Sequence, residues 1–259
     1  MKGYKILALM YADFLLVKNS KWRIVEYLYF PISTVLIYGL FSVFVRQQAF
    51  EAGIIVLIVN IYWSFAQLAQ SHVNMSMNED SWSGSLKQII ASGVSDFEYI
   101  ISRVISSIFF SIFVLLLMIV VSVTLFGISL FITHWPEFLV IALATLIASI
   151  AMSIFFAGAM IALGREYSFL AWTALQAVIF LSAPFYPVSL FPEIMRPVVS
   201  AMPYANIFEA SRTVIGGAAA WNFIWLGLFV AVIYLLSSLP FYKYVFAKAR
   251  EKGWLVRLS

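Results

Sequence analysis

Residues 105 to 132 contain no Asp, Glu, Lys or Arg, and this apolar run restricts the folds open to the chain more than any other feature. A helix needs roughly 20 mostly apolar residues to cross the hydrocarbon core of a bilayer. Continuous runs favour such helices over the short alternating strands of a membrane barrel. The sequence therefore predicts an all-α integral membrane protein with six transmembrane helices, at residues 24–45, 52–72, 105–132, 138–164, 167–183 and 221–246.

The composition supports a membrane protein and argues against several kinds of site. Hydrophobic residues make up 63% of the chain and charged residues 11%, whereas soluble domains contain about 45–50% and about 25%. The chain has no cysteine, and His72 and His134 are not spaced as metal ligands, so we expect no disulfide and no metal site. No catalytic constellation or phosphate-binding loop occurs, so we expect no catalytic residue, no cofactor in this chain and no enzyme activity.

The distribution of Lys and Arg among the predicted loops indicates the orientation in the membrane. One side would hold only Arg46, Arg196 and Arg212. The other side would hold the remaining basic residues, from Lys2 and Lys5 to the tail after the sixth span. Because positively charged loops stay in the cytoplasm, we expect a multi-pass protein of the cell membrane with both termini cytoplasmic. The net charge of +4 is explained by these loops and does not indicate a nucleic-acid partner.

Residues 1–23 precede the first predicted span and have an amphipathic pattern. Near one helical face lie Ile6, Leu9, Met10 and Val17, and away from it lie Lys2, Lys5, Asp13 and Lys18. We expect an amphipathic helix that lies in the membrane surface and contacts lipids, and the alternative is a plain solvated leader. Charged residues interrupt the apolar part and no small-residue cleavage site follows, so a cleaved signal peptide is not expected.

The segment at residues 78–99 predicts a short cytoplasmic helix, roughly from Gly84 to Ala91, before the third span. The apolar side of that helix would consist of Leu86, Ile89 and Ile90. Gly93 stands where a left-handed cap would end a helix. Residues 95–98, Ser-Asp-Phe-Glu, form a capping box that would begin the next helix. An ordinary amphipathic loop is the alternative.

The order of residues in this segment resembles the first coupling helix of ABC-2 type exporter permeases. The order is an acidic pair, Gly, Leu, two apolar residues, Ala-Ser, a small turn and then acid-Phe-Glu-Tyr. The positions that match are Glu79, Gly84, Ser85, Leu86, Ile89, Ile90, Ala91, Ser92, Val94, Ser95 and Glu98. Gly93 stands where the family often has proline, a departure that should preserve the turn.

Prolines cluster between residues 184 and 203, after the fifth predicted span. A proline inside a helix removes a backbone hydrogen bond, and irregular backbone at membrane depth is tolerated only where protein or a water-filled cavity covers it. The predicted orientation places this segment outside the cell, so residues 184–213 predict an external re-entrant helical hairpin. It would cap or gate an exit path, and the alternative is a rigid turn that only joins two spans. The residues assigned to this gate are Pro184, Tyr186, Pro187, Pro192, Glu209 and Arg212.

The proline segment and the Glu-x-x-Arg element that follows it are also similar to ABC-2 permeases, so the resemblance covers essentially the whole chain. It implies a complex of two permease copies, expected here to be a homodimer, with two separate ATP-binding subunits. Those subunits would bind ATP and magnesium and hydrolyse the ATP. The resemblance also implies that the short helix docks into a groove of the ATPase, through Glu79, Gly84, Leu86, Lys87, Ile89, Ile90, Ser92 and Glu98.

A polar stripe follows the second predicted span. Its members fall at helical spacing on one face and are Asn60, Ser64, Gln67, Ser71 and Asn74. Polar side chains that face lipid are costly, so we expect this face to turn toward protein or water. One interpretation is hydrogen bonding between helices of one subunit. The other is a substrate path at a dimer interface, lined by Asn60, Ser64, Gln67 and Ser71 and by Trp172 and Gln176 of the fifth span.

Four functions are open to a chain of this kind. The first is the permease of an ATP-driven exporter for an amphipathic or hydrophobic, drug-like or lipid-like molecule, and the second exports a lipid-linked polysaccharide with the same machinery. The third, a secondary carrier or channel, is disfavoured because the apolar runs hold no acidic residue at mid-depth. The fourth, a membrane scaffold, leaves the coupling pattern unexplained. A Gly-x-x-Trp element that glycan exporters often carry before the first span is absent, so the resemblance favours drug, lipid and nodulation-type exporters.

Overall fold

A computed structural model describes residues 3–46, 50–163 and 170–251. Within these ranges every regular element is helical, which confirms the predicted all-α class. Five helical segments are long and apolar enough to cross a membrane, as expected for a multi-pass membrane protein. These segments are Lys21–Val45, Glu51–Trp82, Asp96–Phe126, Trp135–Leu163 and Trp221–Glu251.

The first half of the described chain forms six α-helices and one π-helical turn. They are α1 (Gly3–Asn19), α2 (Lys21–Ile24), the π turn (Val25–Tyr29), α3 (Phe30–Arg46), α4 (Phe50–Trp82), α5 (Ser85–Ala91) and α6 (Asp96–Phe126). The second element, the π turn and α3 follow one another directly and make one long helical segment. Ser20 begins that segment, because its hydroxyl accepts a hydrogen bond from the backbone N–H of Arg23.

The second half forms six further α-helices and one 3₁₀ turn. They are α7 (Leu130–Thr133), α8 (Trp135–Leu163), α9 (Leu170–Leu181), the 3₁₀ turn (Val188–Leu190), α10 (Arg196–Ser200), α11 (Ala205–Ile215) and α12 (Trp221–Glu251). Helix α9 has 12 residues, or about 18 Å at the α-helical rise. The fifth predicted span, 167–183, begins outside the described residues, so only its later part can be compared.

Helix α4 is much longer than the span of residues 52–72 that its hydropathy predicts. Its 33 residues extend over about 50 Å, whereas the hydrocarbon core is about 30 Å thick. Residues 73–82 are largely polar, so the hydropathy falls although the helix continues. Most of these polar residues are nevertheless buried against neighbouring helices, and the end of α4 leads directly into α5.

Helix α6 begins and ends earlier than the predicted span 105–132. It begins at Asp96 because the Ser95 hydroxyl accepts from the Glu98 N–H and the Glu98 carboxylate accepts from the Ser95 N–H. It ends at Phe126 because Gly127 adopts the left-handed conformation, with a φ of 64°. Residues 127–132 of the predicted span therefore do not belong to this helix.

Helix α4 lies at the centre of the bundle and packs against α3, α6 and α8, while α12 packs mainly against α8. Small residues of α8 allow this close approach. A Cβ atom at Gly158 would lie 2.9 Å from the ring of Phe241 in α12. Ser149 and Ser153 of α8 donate hydrogen bonds to carbonyl oxygens of their own helix, so burying them leaves no donor unpaired.

One end of the bundle holds α1, α5 and the last turns of α12. Lys5 of α1 donates a hydrogen bond to the carbonyl oxygen of Gly93, directly after α5. Phe246 and Arg250 of α12 line a small pocket together with Leu86 of α5. The basic residues at the start and the end of the described chain therefore gather at the same end, as the predicted orientation requires.

Candidate functional site

The short helix predicted at residues 84–91 is present as α5, and both of its boundaries follow from glycine. Gly84 precedes it with a φ of 73°, and Gly93 follows it with a φ of 78°. A side chain at either position would be strained in this left-handed conformation. The chain therefore turns sharply on both sides of α5 and enters α6 through the Ser95–Glu98 capping box.

The orientation of α5 differs from the expected one. Leu86 is only 4% exposed and lines a pocket with Phe246 and Arg250 of α12, and Ile89 and Ile90 are half-buried there. A helix of seven residues has little stability of its own and buries its apolar side against the nearest helix. The prediction that this side faces outward is corrected, and the exposed face of α5 consists of Lys87, Gln88, Ala91 and Ser92. The coupling role of α5 stays a prediction.

A cluster of buried charges joins α1, α4 and α6 beside α5, and we call it the ion cluster. Arg103 of α6 donates hydrogen bonds to Asp13 of α1 and to Asp80 of α4. The hydroxyl of Tyr99 donates to Asp80 across 2.7 Å, and the hydroxyl of Ser85 donates to the same carboxylate across 2.9 Å. Asp80 therefore links the first residue of α5 to the long helices.

Asp13 is the member of the ion cluster whose position was predicted wrongly from the sequence. It was expected away from the apolar face of α1, but it is fully buried on the same side as Leu9. Burial raises the pKa of the Asp13 carboxyl above its ordinary value, and the guanidinium of Arg103 opposes that shift. The partner is in another helix, so the local pattern of α1 could not reveal it.

The reversed orientation of Asp13 leaves α1 with an apolar outer face. That face consists of Tyr4, Leu7, Tyr11 and Phe14, each more than half exposed. The predicted apolar residues Ile6, Leu9, Met10 and Val17 pack inward instead, fully or in part. Both faces of α1 are thus largely apolar, and the inner one is fastened by Lys5 and Asp13.

A second pair of charges fixes the other acidic residue before α5. Arg23 of α2 is buried and donates a hydrogen bond to Glu79 near the end of α4. Of the residues predicted to contact an ATPase, Glu79 and Glu98 are therefore engaged within the chain, whereas Lys87 and Ser92 are exposed. The acidic residues hold α5 in position within the chain. Its exposed face, which includes Lys87 and Ser92, is the part that a partner could contact.

An open groove of about 420 Å³ lies between the first helical segment and α4, and we call it the α3–α4 groove. It is lined by Trp22, Glu26, Phe30, Pro31, Thr34, Ser64, Gln67, Leu68, Ser71 and Met75. Three residues of the predicted path, Ser64, Gln67 and Ser71, thus lie in one groove. Ser64 and Gln67 form no hydrogen bond with any residue that the structure describes, so their polar atoms are free to bind a ligand.

The remaining path residues lie elsewhere. Asn60 is buried, and its Oδ1 has no hydrogen-bond partner among the described residues. Gln176 is half-buried in α9 and does not line the α3–α4 groove. The side chain of Trp172 lies outside the part of the chain that is described. The polar stripe therefore divides into an open part in the groove and a buried part within the bundle.

The groove owes part of its shape to the π turn. Pro31 has no N–H and cannot donate to the carbonyl of Tyr27, so the regular α-helical ladder is interrupted there. The N–H of Phe30 reaches back to the carbonyl oxygen of Val25 instead, which widens the turn. Glu26 lines the groove, while the hydroxyl of the next residue, Tyr27, shares a hydrogen bond with Nδ1 of buried His72. Turns of this type are often found at functional sites.

At the end of the bundle away from α5, Arg212 of α11 holds the proline segment, residues 184–203, in place. Its guanidinium donates hydrogen bonds of 2.6 Å to the carbonyl oxygens of Ala183 and Pro184, and it also pairs with Glu209. Ala183 has a φ of 53°, a left-handed conformation that costs energy for a residue other than glycine. Arg212 thus caps the carbonyl groups exposed where α9 ends, which brings three of the predicted gate residues together.

The rest of the predicted hairpin forms two short helices over α4, α8 and α12. Helix α11 packs against all three. Tyr204, which directly precedes α11, and Phe208 within it are fully buried. The ring of Phe185 stacks on Trp63 of α4 with centroids 5.6 Å apart, and Tyr186 contacts Phe191. Pro187 and Pro192 are exposed. The proline segment is therefore anchored by Arg212 and Phe185 and exposed at its tip.

No protein-family model matches the chain, and no curated protein matches it at a significant level of similarity. Within the described residues, no group of His, Asp or Glu side chains is arranged to hold a metal ion.

Sequence reasoning missed Asp13, Arg103, Tyr99 and Glu26 as parts of candidate sites. Each is a polar residue next to or inside an apolar run, and burying such a group requires a partner. The sequence therefore indicated that Asp13 and Arg103 each need a partner. It did not indicate that they pair with each other across 90 positions. The position of Glu26 depends on a π turn, which no hydropathy pattern predicts.

Proposed function

We propose that the chain is the membrane-spanning permease subunit of an ABC-2 type exporter. It moves an amphipathic or hydrophobic, drug-like or lipid-like molecule, and it catalyses no reaction itself. ATP and magnesium are bound by two separate nucleotide-binding subunits. A second copy of this chain completes the permease in the cell membrane.

The observation that carries this proposal is the way α5 is held. A seven-residue helix follows the end of α4 and lies between two left-handed glycines. Asp80 accepts hydrogen bonds from its first residue, Ser85, and from Arg103. Leu86 is buried beside a small pocket that Phe246 and Arg250 of α12 also line. A rigid-body displacement of α5 would therefore be transmitted to α4, α6 and α12 together. Such an attachment suits a helix that passes the movement of a partner to the spanning helices.

The finer topology is part of the proposal. Helix α9 is the fifth of six spans, and the hairpin that follows it is external and re-entrant. The predicted span 167–183 would extend only about 25 Å, less than the hydrocarbon core of about 30 Å, so the segment fastened by Arg212 lies within the outer leaflet and gates the exit. Helix α1 lies in the cytoplasmic membrane surface with Tyr4, Leu7, Tyr11 and Phe14 toward lipid. Both termini are cytoplasmic.

The α3–α4 groove is the part of the substrate path that this chain supplies. Ser64, Gln67 and Ser71 give it hydrogen-bonding groups, and aromatic and aliphatic side chains give it apolar surface. This mixture suits an amphipathic substrate. A long, hydrated polysaccharide is the alternative substrate, and it would contact polar and aromatic groups over more than one groove.

The proposal is tested by reconstitution. The tagged chain is isolated in mild detergent from cells that produce it naturally, and the complex is placed in liposomes. We expect co-purified ATPase activity and ATP-dependent movement of a fluorescent amphiphile across the bilayer. Movement driven by an ion gradient without ATP would contradict the proposal in favour of a secondary carrier, and a preparation without any ATPase subunit would also contradict it.

A further inference from the structure

The α3–α4 groove contains a single acidic side chain, that of Glu26, and no basic residue lines it. Glu26 is half-buried, and it forms no hydrogen bond or ion pair with any residue in the described ranges. The nearby guanidinium of Arg23 is buried and donates to Glu79 instead. The groove thus presents a carboxylate that no positive side chain contacts, because Arg23, although near enough to attract it, is buried against Glu79.

A carboxylate that is partly removed from water and has no partner is costly, so its place in an apolar groove calls for a cation. Two aromatic rings stand at the same groove. Trp22 is 65% exposed and Phe30 is 50% exposed, so their faces are open to a ligand. Aromatic faces attract cations, and the attraction grows when the site excludes water.

We propose that the α3–α4 groove binds an amphipathic organic cation. Its positive group lies at Glu26, and its apolar body lies against Trp22, Phe30 and Leu68. Gln67, Ser64 and Thr34 supply neutral hydrogen-bonding groups that orient the ligand. This inference names the substrate class of the proposed path and rests on the proposed function only for what happens to the ligand after it binds.

The size and the charge of the groove favour this ligand over others. A volume of about 420 Å³ falls in the range of pockets for small organic molecules. The charges of Arg23 and Glu79 offset each other, so the carboxylate of Glu26 leaves the groove with a net negative charge, and the lining offers an anion no positive side chain. A neutral amphiphile would leave the charge of Glu26 without a partner.

Tetraphenylphosphonium and tetraphenylborate test the charge preference, because they have nearly the same shape and opposite charge. Binding of each is measured by equilibrium dialysis against the full chain in lipid nanodiscs, and partitioning into empty nanodiscs is subtracted. We expect saturable binding of the cation and none of the anion. Glu26→Gln keeps the shape of the side chain and should weaken binding of the cation about tenfold or more, since a charged partner is lost.

Glu193→Gln is the matched control, because Glu193 is an exposed acid outside the groove. It should leave binding unchanged. Should Glu26→Gln fail to fold, Trp22→Ala serves as the second variant, since its exposed ring can be removed without opening the core. That variant should weaken binding of the cation several-fold through the lost cation–π contact.

Three results would overturn the inference: no saturable binding of the cation, equal binding of cation and anion, or unchanged affinity in both Glu26→Gln and Trp22→Ala. A groove that is filled by a second copy of the chain would give the first of these. Failure of the proposed function looks different. Charge-selective binding without ATP-driven transport would contradict the exporter and leave the cation site intact. ATP-driven transport that is unchanged in Glu26→Gln would contradict the cation site and leave the exporter intact.

Discussion

Asp13 in α1 and Arg103 in α6 form a buried ion pair across 90 positions of the chain. Neither carboxylate of the ion cluster reaches water freely, because Asp13 is fully buried and Asp80 nearly so. The guanidinium between them is what makes both charges tolerable. The N-terminal helix is therefore an integral part of the bundle at the end where α5 projects.

Removing Arg103 should destabilise the protein strongly. Arg103→Met fills a similar volume but leaves Asp13 and Asp80 as uncompensated buried charges, which costs about 3–5 kcal/mol. The measurement is the midpoint of thermal aggregation in detergent, read by fluorescence-detected gel filtration. Lys18→Met is the control, since Lys18 is exposed. The triple variant with Asp13→Asn and Asp80→Asn should recover part of the loss, and no recovery would mean that the charges are not the cause.

Arg212→Lys should loosen the proline segment without unfolding the chain. Lysine keeps the charge but cannot bond the carbonyl oxygens of Ala183 and Pro184 and the Glu209 carboxylate at once. We expect faster proteolysis near residue 190 and a transport rate lowered about tenfold. Such a change in rate corresponds to an activation barrier raised by roughly 1.4 kcal/mol. Unchanged transport together with faster proteolysis would mean that the segment is only a turn.

The absence of native cysteine makes the topology directly measurable. Cysteines introduced at Glu193 and Gln88 are each exposed, and they lie at opposite ends of the bundle. A membrane-impermeant maleimide added to intact cells should label position 193 and spare position 88 until the cells are opened. Labelling of both positions, or of position 88 alone, would show that the orientation or the number of spans is wrong.

Leu86 and Lys87 should behave differently although they are neighbours. Leu86→Ala removes a buried side chain that packs on α12 and should lower the unfolding free energy by about 2–5 kcal/mol. Lys87→Glu changes only the exposed face, so thermal stability should stay the same while ATPase-coupled transport falls. Stability is followed by thermal aggregation and coupling by transport per ATP hydrolysed. Equal loss of stability in both variants would contradict the orientation of α5.

The features predicted correctly depend on local chemistry. Gly93 and the Ser95–Glu98 capping box act on the residues beside them, so a short stretch of sequence reveals them. Hydropathy located the apolar segments for the same reason. It did not extend the second span over the last ten residues of α4, because these residues are largely polar although the backbone stays helical.

The features that were missed depend on distant partners. Asp13 had been placed on the wrong side of α1, because its position is decided by Arg103 rather than by its own helix. Leu86 was expected to face a partner subunit, because its burial depends on the end of α12. The polar stripe of the second span was predicted as one surface, but packing opens only its Ser64, Gln67 and Ser71 portion.

The most direct test of the account is a photocrosslink from α5 to an ATPase. A photoreactive amino acid is placed at Gln88 on the exposed face, and separately at Ile90 on the inner side, in cells that produce the chain naturally. We expect position 88 to capture a subunit whose purified adduct binds and hydrolyses ATP, and position 90 to capture only this chain. Absence of an ATP-hydrolysing partner at position 88, with the protein folded and in the membrane, would contradict the account.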